Sequence, residues 1–260
     1  MKIGFIGCGN MGSALCSAIN SIGGVSLLIS DTNQKKLDEV CALIGAKSTS
    51  NSEIAKSCDF IFLAVKPNIL PFVAEEIKDT VPSSAVIVSM AAGISTESLN
   101  FYFGEDKKII RIMPNTPVEV SSGVTFYTKY KISEDMLHKF IEVMSYTGSL
   151  YEIVEDKMDV VSVLTGSTPA YLDYFIDALS EFGLSKGFTK EESIEYVLKM
   201  ALGTILLNLS SNKSPKELGD EVCSPGGSTI EGVKVLLDND FYKIINDAAN
   251  ASYNKNKKML

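Results

Sequence analysis

The sequence predicts an α/β amino-terminal half built on a mostly parallel, doubly wound sheet, followed by an all-α half. Three observations carry that expectation. From residue 1 to about 150, short β-branched runs alternate with helical patterns, the rhythm of parallel strands joined by crossover helices. The first of these runs leads directly into Gly7-Cys8-Gly9-Asn10-Met11-Gly12, a glycine pattern that cradles phosphates when it lies between a strand and a helix. After Tyr151-Glu152-Ile153-Val154 the strand-like runs with turn signals stop, and long helical stretches take over.

Taken in order, Lys2–Ile6 is a short apolar strand, and Ser13 to Ile19 is a helix with a small-residue face. Gly7 between them permits a tight turn, Gly9 lets backbone approach a pyrophosphate, and Gly12 allows close packing of helix on strand. With Asn10 and Met11 inside this glycine loop, the pyrophosphate would sit on the N-terminus of the helix that follows, where unpaired N–H groups and the helix dipole favour negative charge. This is a Rossmann arrangement. The second strand, Ser26–Ile29, ends near Asp31, where an acid typically accepts from the adenosine ribose 2′-hydroxyl. A carboxylate there repels a 2′-phosphate and favours NADH. Lys35 and Lys36, in the helix predicted over Asn33 to Ile44, would offset that repulsion for NADPH, so both cofactors stay open.

Further strands are expected at Asp59–Val65, Ala85–Met90, Lys108–Met113 and Val124–Tyr127, several of them apolar on consecutive positions, as strands covered on both faces should be. Helices are expected over Ile69–Lys78, Ser95–Tyr102 and Ser133–Tyr146, the last opened by a capping serine and by Glu134 and Asp135. In the helical half, Asp156 to about Gly187 is one apolar-rich stretch interrupted by Gly166 and Pro169, where a kink is expected. Thr189 to Ser210 is a second, with apolar positions 194, 197, 198, 201, 202, 205 and 206 at helical spacing. A lone pair of helices cannot bury that much apolar surface, so an intertwined homodimer is inferred. The expected division is 1–153 for the dinucleotide-binding domain and 154–260 for the helical dimerisation and substrate domain.

Composition fits this reading. With 45% apolar and 22% charged residues over 260 positions, the chain matches a soluble globular protein, and its longest apolar stretches are too short for a bilayer-spanning helix. A formal charge of −8 without a Lys/Arg cluster argues against a nucleic-acid partner. The five cysteines have no paired spacing, so neither a disulfide framework nor a metal site is suggested, and buried thiols point to a reducing compartment. A first strand lying where a cleavable signal would sit makes the cytoplasm the expected location. The single histidine, His138, falls on a predicted helix away from every motif and is read as a surface residue.

Four more segments fall at predicted strand ends or, in the helical half, at a predicted helix start: Ala64-Val65-Lys66-Pro67, Met90-Ala91-Ala92-Gly93, Met113-Pro114-Asn115-Thr116-Pro117 and Ser224-Pro225-Gly226-Gly227-Ser228-Thr229. With Arg111 before the third and Thr165-Gly166-Ser167-Thr168-Pro169-Ala170-Tyr171 in the helical half, the chain resembles the pyrroline-5-carboxylate reductase family over nearly its whole length. Thr165 and Thr168 depart from the Ser and Gly usual in that family, and a β-branched residue at 168 narrows backbone freedom at the kink. The resemblance implies that Asn51, Ala64, Val65, Lys66, Pro67, Ala91, Ala92, Gly93 and Asn115 border the cofactor, with the substrate between cofactor and helical domain at a subunit interface. It implies that Ser224 and the backbone of Gly226, Gly227 and Ser228 receive the substrate carboxylate and that Thr229 hydrogen-bonds the ring nitrogen.

The residues agree with that chemistry on their own terms. Gly-Gly after proline leaves N–H groups open at a helix start, a site suited to a carboxylate. Thr229 offers a hydroxyl that both donates and accepts. Reducing a cyclic imine needs hydride at carbon and a proton on nitrogen, and no histidine acid of the kind used on ketones is present among the motifs. The expected activity is NAD(P)H-dependent reduction of 1-pyrroline-5-carboxylate to L-proline, by a homodimer or a larger ring of dimers. Alternatives are reduction of another cyclic imino acid or of a 3-hydroxyacid-type substrate on the same scaffold, and a regulatory protein that keeps the fold as a ligand sensor.

Overall fold

The computed structural model describes residues 1–257. By its internal contacts the chain forms two units, one of Met1–Gly166 with the chain end from Tyr253, the other of Ser167–Ser252. Residues 155–166 pack with the first unit because Met158 and Val161 are buried against Met113.

The first unit holds an eight-stranded sheet. In chain order its elements are β1 (Lys2–Ile6), α1 (Asn10–Asn20), β2 (Ser26–Ser30), α2 (Gln34–Ile44), β3 (Lys47–Ser48), α3 (Asn51–Ser57), β4 (Phe60–Leu63), α4 (Leu70–Ile77), β5 (Val86–Ser89), α5 (Thr96–Phe103), β6 (Lys108–Met113), β7 (Gly123–Tyr130), α6 (Glu134–Met144), β8 (Gly148–Glu152) and α7 (Met158–Val161). The spatial order is β3-β2-β1-β4-β5-β6-β7-β8, parallel except where β7 runs against β6. The central strands are apolar at consecutive positions because each feeds two cores. Phe60 and Phe62 enter the cluster under α1, α2 and α6, while Ile61 and Leu63 enter the one under α3, α4 and α5. Phe5 stacks on Phe62 across the strand pair, ring centroids 4.6 Å apart.

In the first unit β3, β8 and the seven-residue α3 were not expected from sequence, and in the second neither were the helices over Pro215–Val222 and Phe241–Lys257. Helix α3 is capped by Ser50, whose hydroxyl accepts from Glu53 N–H. The interruption expected at Gly166 and Pro169 is a π-helix over Ser162–Ser167, after which α8 (Thr168–Ser185) begins with Pro169 in its first turn, where a missing N–H costs nothing.

The second unit continues from α8 through α9 (Lys190–Ser210), α10 (Pro215–Val222), α11 (Ser228–Asp238) and most of α12 (Phe241–Lys257). Reciprocal capping boxes at Thr189/Glu192 and Ser214/Glu217 start α9 and α10. The α8–α9 pair meets along small residues: Ser180 and Ser193 are the buried positions, and a methyl on Gly183 would strike Ser193. Large side chains therefore point outward, among them Phe182, Leu202, Leu206 and Leu209. That is the reverse of a self-sufficient helix pair. Among the described residues no helix is long and apolar enough to cross a membrane.

Candidate active site

Because β1, β2, β4, β5 and β6 run parallel, the segments after them lie along one edge of the sheet. Strand order reverses between β1 and β4, the crevice where α/β sheets hold ligands. Gly7 stands at that point. Its φ of +99° excludes ordinary side chains, and a Cβ there would lie 2.5 Å from Ala64 O. A Cβ on Gly12 would lie 2.5 Å from Gly7 O and 2.9 Å from the Ala64 side chain, so helix and strand approach only because both residues are glycine. Gly9 differs. A Cβ on it would meet nothing within 4 Å, and no side chain caps α1, for which Gly9 is the N-cap. The start of α1, at Asn10 and Met11, is thus an open cradle of N–H groups that fits a pyrophosphate.

Asp31 closes the other side of this loop. Its carboxylate accepts from Cys8 N–H at 2.6 Å and from Asn33 N–H at 2.7 Å. Partial burial opposes its charge, but the N–H groups of Asn33 and Cys8 outweigh that and hold the carboxyl below its usual range. The Cys8 thiol is pushed up to about 12, first by burial and then by Asp31, so it stays neutral. Next to Asp31, Asn51 at the start of α3 accepts from Ser30 Oγ at 2.5 Å and donates to Glu76 Oε2 at 2.7 Å. Gly7, Ser30, Asp31, Asn51, Val65 and Glu76 share a cleft of about 320 Å³.

Farther along the edge, Ala64 N–H donates to Ile6 O at 2.8 Å, Pro67 is half-buried and Lys66 is exposed. Ala91 is buried, Ala92 is half-buried, and Gly93 turns the chain with φ +77°. Asn115 is buried and held at both ends: its Nδ2 donates to Thr165 O in the π-helix at 3.1 Å, and its Oδ1 accepts from Val124 N–H at 2.8 Å. Arg111, quoted from sequence only as part of a motif, is buried and pairs with Glu155 at 2.7 Å, while Glu155 also accepts from Thr96 N–H. A separate cavity of about 550 Å³ opens at the opposite strand ends, by Met1, Phe60 and Val143, and none of the motif residues line it.

In the second unit, Ser224 to Thr229 form the turn into α11. Gly226 takes φ +74°, Gly227 N–H donates to Ser224 O at 2.9 Å, and no side chain caps the helix start at Gly227. The Gly227 N–H is spent on the turn, so it is not among the donors open at this end. Thr229 is exposed in the first helical turn. Tyr171 is occupied elsewhere in the unit, its hydroxyl 2.6 Å from Ser252 Oγ and donating to Ala248 O. His138 is exposed on α6. Among the described residues no group of His, Cys, Asp and Glu could hold a metal ion.

A glycine-loop nucleotide crevice on a doubly wound sheet, followed by a helical unit with its own anion-suited helix start, defines a dinucleotide-dependent oxidoreductase. Residues 155–259 match the model for pyrroline-5-carboxylate reductase dimerisation, and residues 2–93 match that for NADP oxidoreductase, coenzyme F420-dependent. The chain is 34% identical to pyrroline-5-carboxylate reductase of Aquifex aeolicus, covering 100% of this chain and 97% of that one. It is 36% identical to human pyrroline-5-carboxylate reductase 2, covering 97% and 82%. The crystal structure of the Plasmodium falciparum pyrroline carboxylate reductase with NADP bound superposes with a TM-score of 0.92 at 31% identity, covering 100% and 98%. The chain belongs to the pyrroline-5-carboxylate reductase family.

Proposed function

We propose that this chain reduces 1-pyrroline-5-carboxylate to L-proline with NADH or NADPH. The observation that carries the reading is the turn Ser224 to Gly227, which leaves the start of α11 without a side-chain cap and sets the Thr229 hydroxyl in its first turn. The open N–H groups there receive the substrate carboxylate, and Thr229 holds the ring nitrogen. Gly7, Gly9, Asn10, Met11, Gly12 and Asp31 hold the dinucleotide, with Asn51, Ala64 to Pro67, Ala91 to Gly93 and Asn115 along the same edge. The bound dinucleotide supplies the hydride. A protonated imine entering from solution would need no strong general acid, which leaves the chain the task of orienting the ring and excluding water. Neither Tyr171, tied to α12, nor the exposed His138 is placed to serve as such an acid.

The helical part from residue 154 serves as dimerisation and substrate domain and residues 1–153 as dinucleotide domain. The outward apolar side chains of α8 and α9 supply the dimer face, and the enzyme works in the cytoplasm. Initial rates on a panel of cyclic imino acids and 3-hydroxyacids, followed at the nicotinamide absorbance, test the substrate. Thr229→Ala is expected to lower turnover about ten- to a hundredfold while the cofactor Kd stays near wild type. Unchanged turnover removes Thr229 from the site, and preference for a hydroxyacid replaces the reading.

A further inference from the structure

We infer that the cofactor cleft selects the unphosphorylated dinucleotide, NADH, and that Glu76 acts with Asp31 as a specificity-determining residue. This rests on the reading of Gly7 to Gly12 as the pyrophosphate loop and deepens it. A 2′-phosphate brings nearly two extra negative charges to the adenosine ribose and needs N–H donors or a cation to receive them. At the end of β2 those donors are spent: Asp31 already takes the N–H groups of Cys8 and Asn33. The next helix start is partly taken too, since the Asn33 side chain accepts from Lys36 N–H and caps α2.

Across the cleft stands a second carboxylate. Glu76 Oε2 is held by Asn51 Nδ2, and Asn51 is itself fixed by Ser30 Oγ, so the acid is oriented by a relay of two hydrogen bonds. No lysine or arginine lines this cleft. Lys36 is turned to Asn10 Oδ1 at 3.1 Å, on the side of the glycine loop. What the cleft offers an adenosine ribose is acceptors. A carboxylate has four lone-pair sites, and backbone N–H groups use two of those on Asp31, which leaves room for the hydroxyls of an unmodified ribose. A phosphate ester at the same place would face two carboxylates, while Lys36, the cation within reach of Asp31, is drawn to Asn10.

Calorimetric titration with NADH, NADPH, AMP and adenosine 2′,5′-bisphosphate tests this on the intact protein. NADH and AMP are expected to bind at least about ten-fold more tightly than their 2′-phosphorylated counterparts at low salt, with the gap narrowing as salt rises. Glu76→Gln should close several-fold of that gap, chiefly by tightening NADPH, and Glu76→Gln with Asp31→Ser should close more. Thermal melting of each variant separates this from loss of fold. Equal affinities for AMP and the bisphosphate in the wild type, or a ratio unmoved by a folded Glu76→Gln, overturn the inference and leave the reductase reading standing. Failure of all four nucleotides to bind overturns both.

Discussion

The three glycines of the first loop should fail in different ways when each is given a methyl group. Gly7→Ala places an L-residue at φ +99° and a Cβ 2.5 Å from a backbone carbonyl that has no room to move. The conformational part costs about 1–2 kcal/mol and the overpacking about 1–3 kcal/mol. A total loss of about 2–5 kcal/mol lowers the melting temperature by roughly 5–15 °C in a protein of this size. Gly9→Ala is the opposite case: its φ of −58° suits alanine, and the new methyl meets nothing within 4 Å. Replacing glycine at that N-cap costs under about 1 kcal/mol. In the proposed complex, however, the methyl would stand where the pyrophosphate approaches the N–H groups, and losing one charged hydrogen bond of about 1.5–3 kcal/mol would weaken binding about ten- to a hundredfold. Urea unfolding and NADH fluorescence titration on both variants read the two effects separately. The reasoning fails if Gly9→Ala binds NADH as the wild type does, or if it loses as much stability as Gly7→Ala.

Glu155→Gln leaves Arg111, whose side chain is 6% exposed, without its counter-charge, and should cost about 3 kcal/mol in urea unfolding, at the low end for a buried pair because Glu155 is 30% exposed. A loss under about 1 kcal/mol would mean water already serves Arg111. Asp31 has a depressed carboxyl, so its contribution is complete above the unfolded value near 3.9 and is lost as pH falls through its lower folded value. The stability gap between wild type and Asp31→Asn should therefore be largest at neutral pH and shrink below about pH 4, and a gap constant with pH would refute this. Leu202 and Leu206 are 60% and 56% exposed on α9, and Leu202→Glu with Leu206→Glu should convert the proposed dimer to monomer in sedimentation velocity. A dimer that survives both charges would place its interface on another face.

The alternation of strands and helices was legible because each strand is covered twice. Phe60 to Leu63 could be read as a strand from apolarity alone, and the spacing of Gly7, Gly9 and Gly12 matched a turn, an open approach and a close packing that the coordinates display separately. The short α3 is not legible in the sequence because seven residues hold too few apolar positions for a period, although Ser50 and Glu53 carry a capping signal. A kink was readable from Gly166 and Pro169, but not the π-turn, whose carbonyl at Thr165 is taken by Asn115, fifty residues earlier. Glu76 carried no signal at all. It is one of 32 acidic residues, and what distinguishes it is Asn51, a partner supplied by a different crossover.

The α8–α9 seam, where serine and glycine sit inside and leucine and phenylalanine outside, bears on how this protein is handled at the bench. An isolated copy would expose its greasiest surface to water, so folding and pairing become one equilibrium governed by mass action. Unfolding midpoints should climb as the sample is concentrated, and dilution into the nanomolar range should shed activity before any heat is applied.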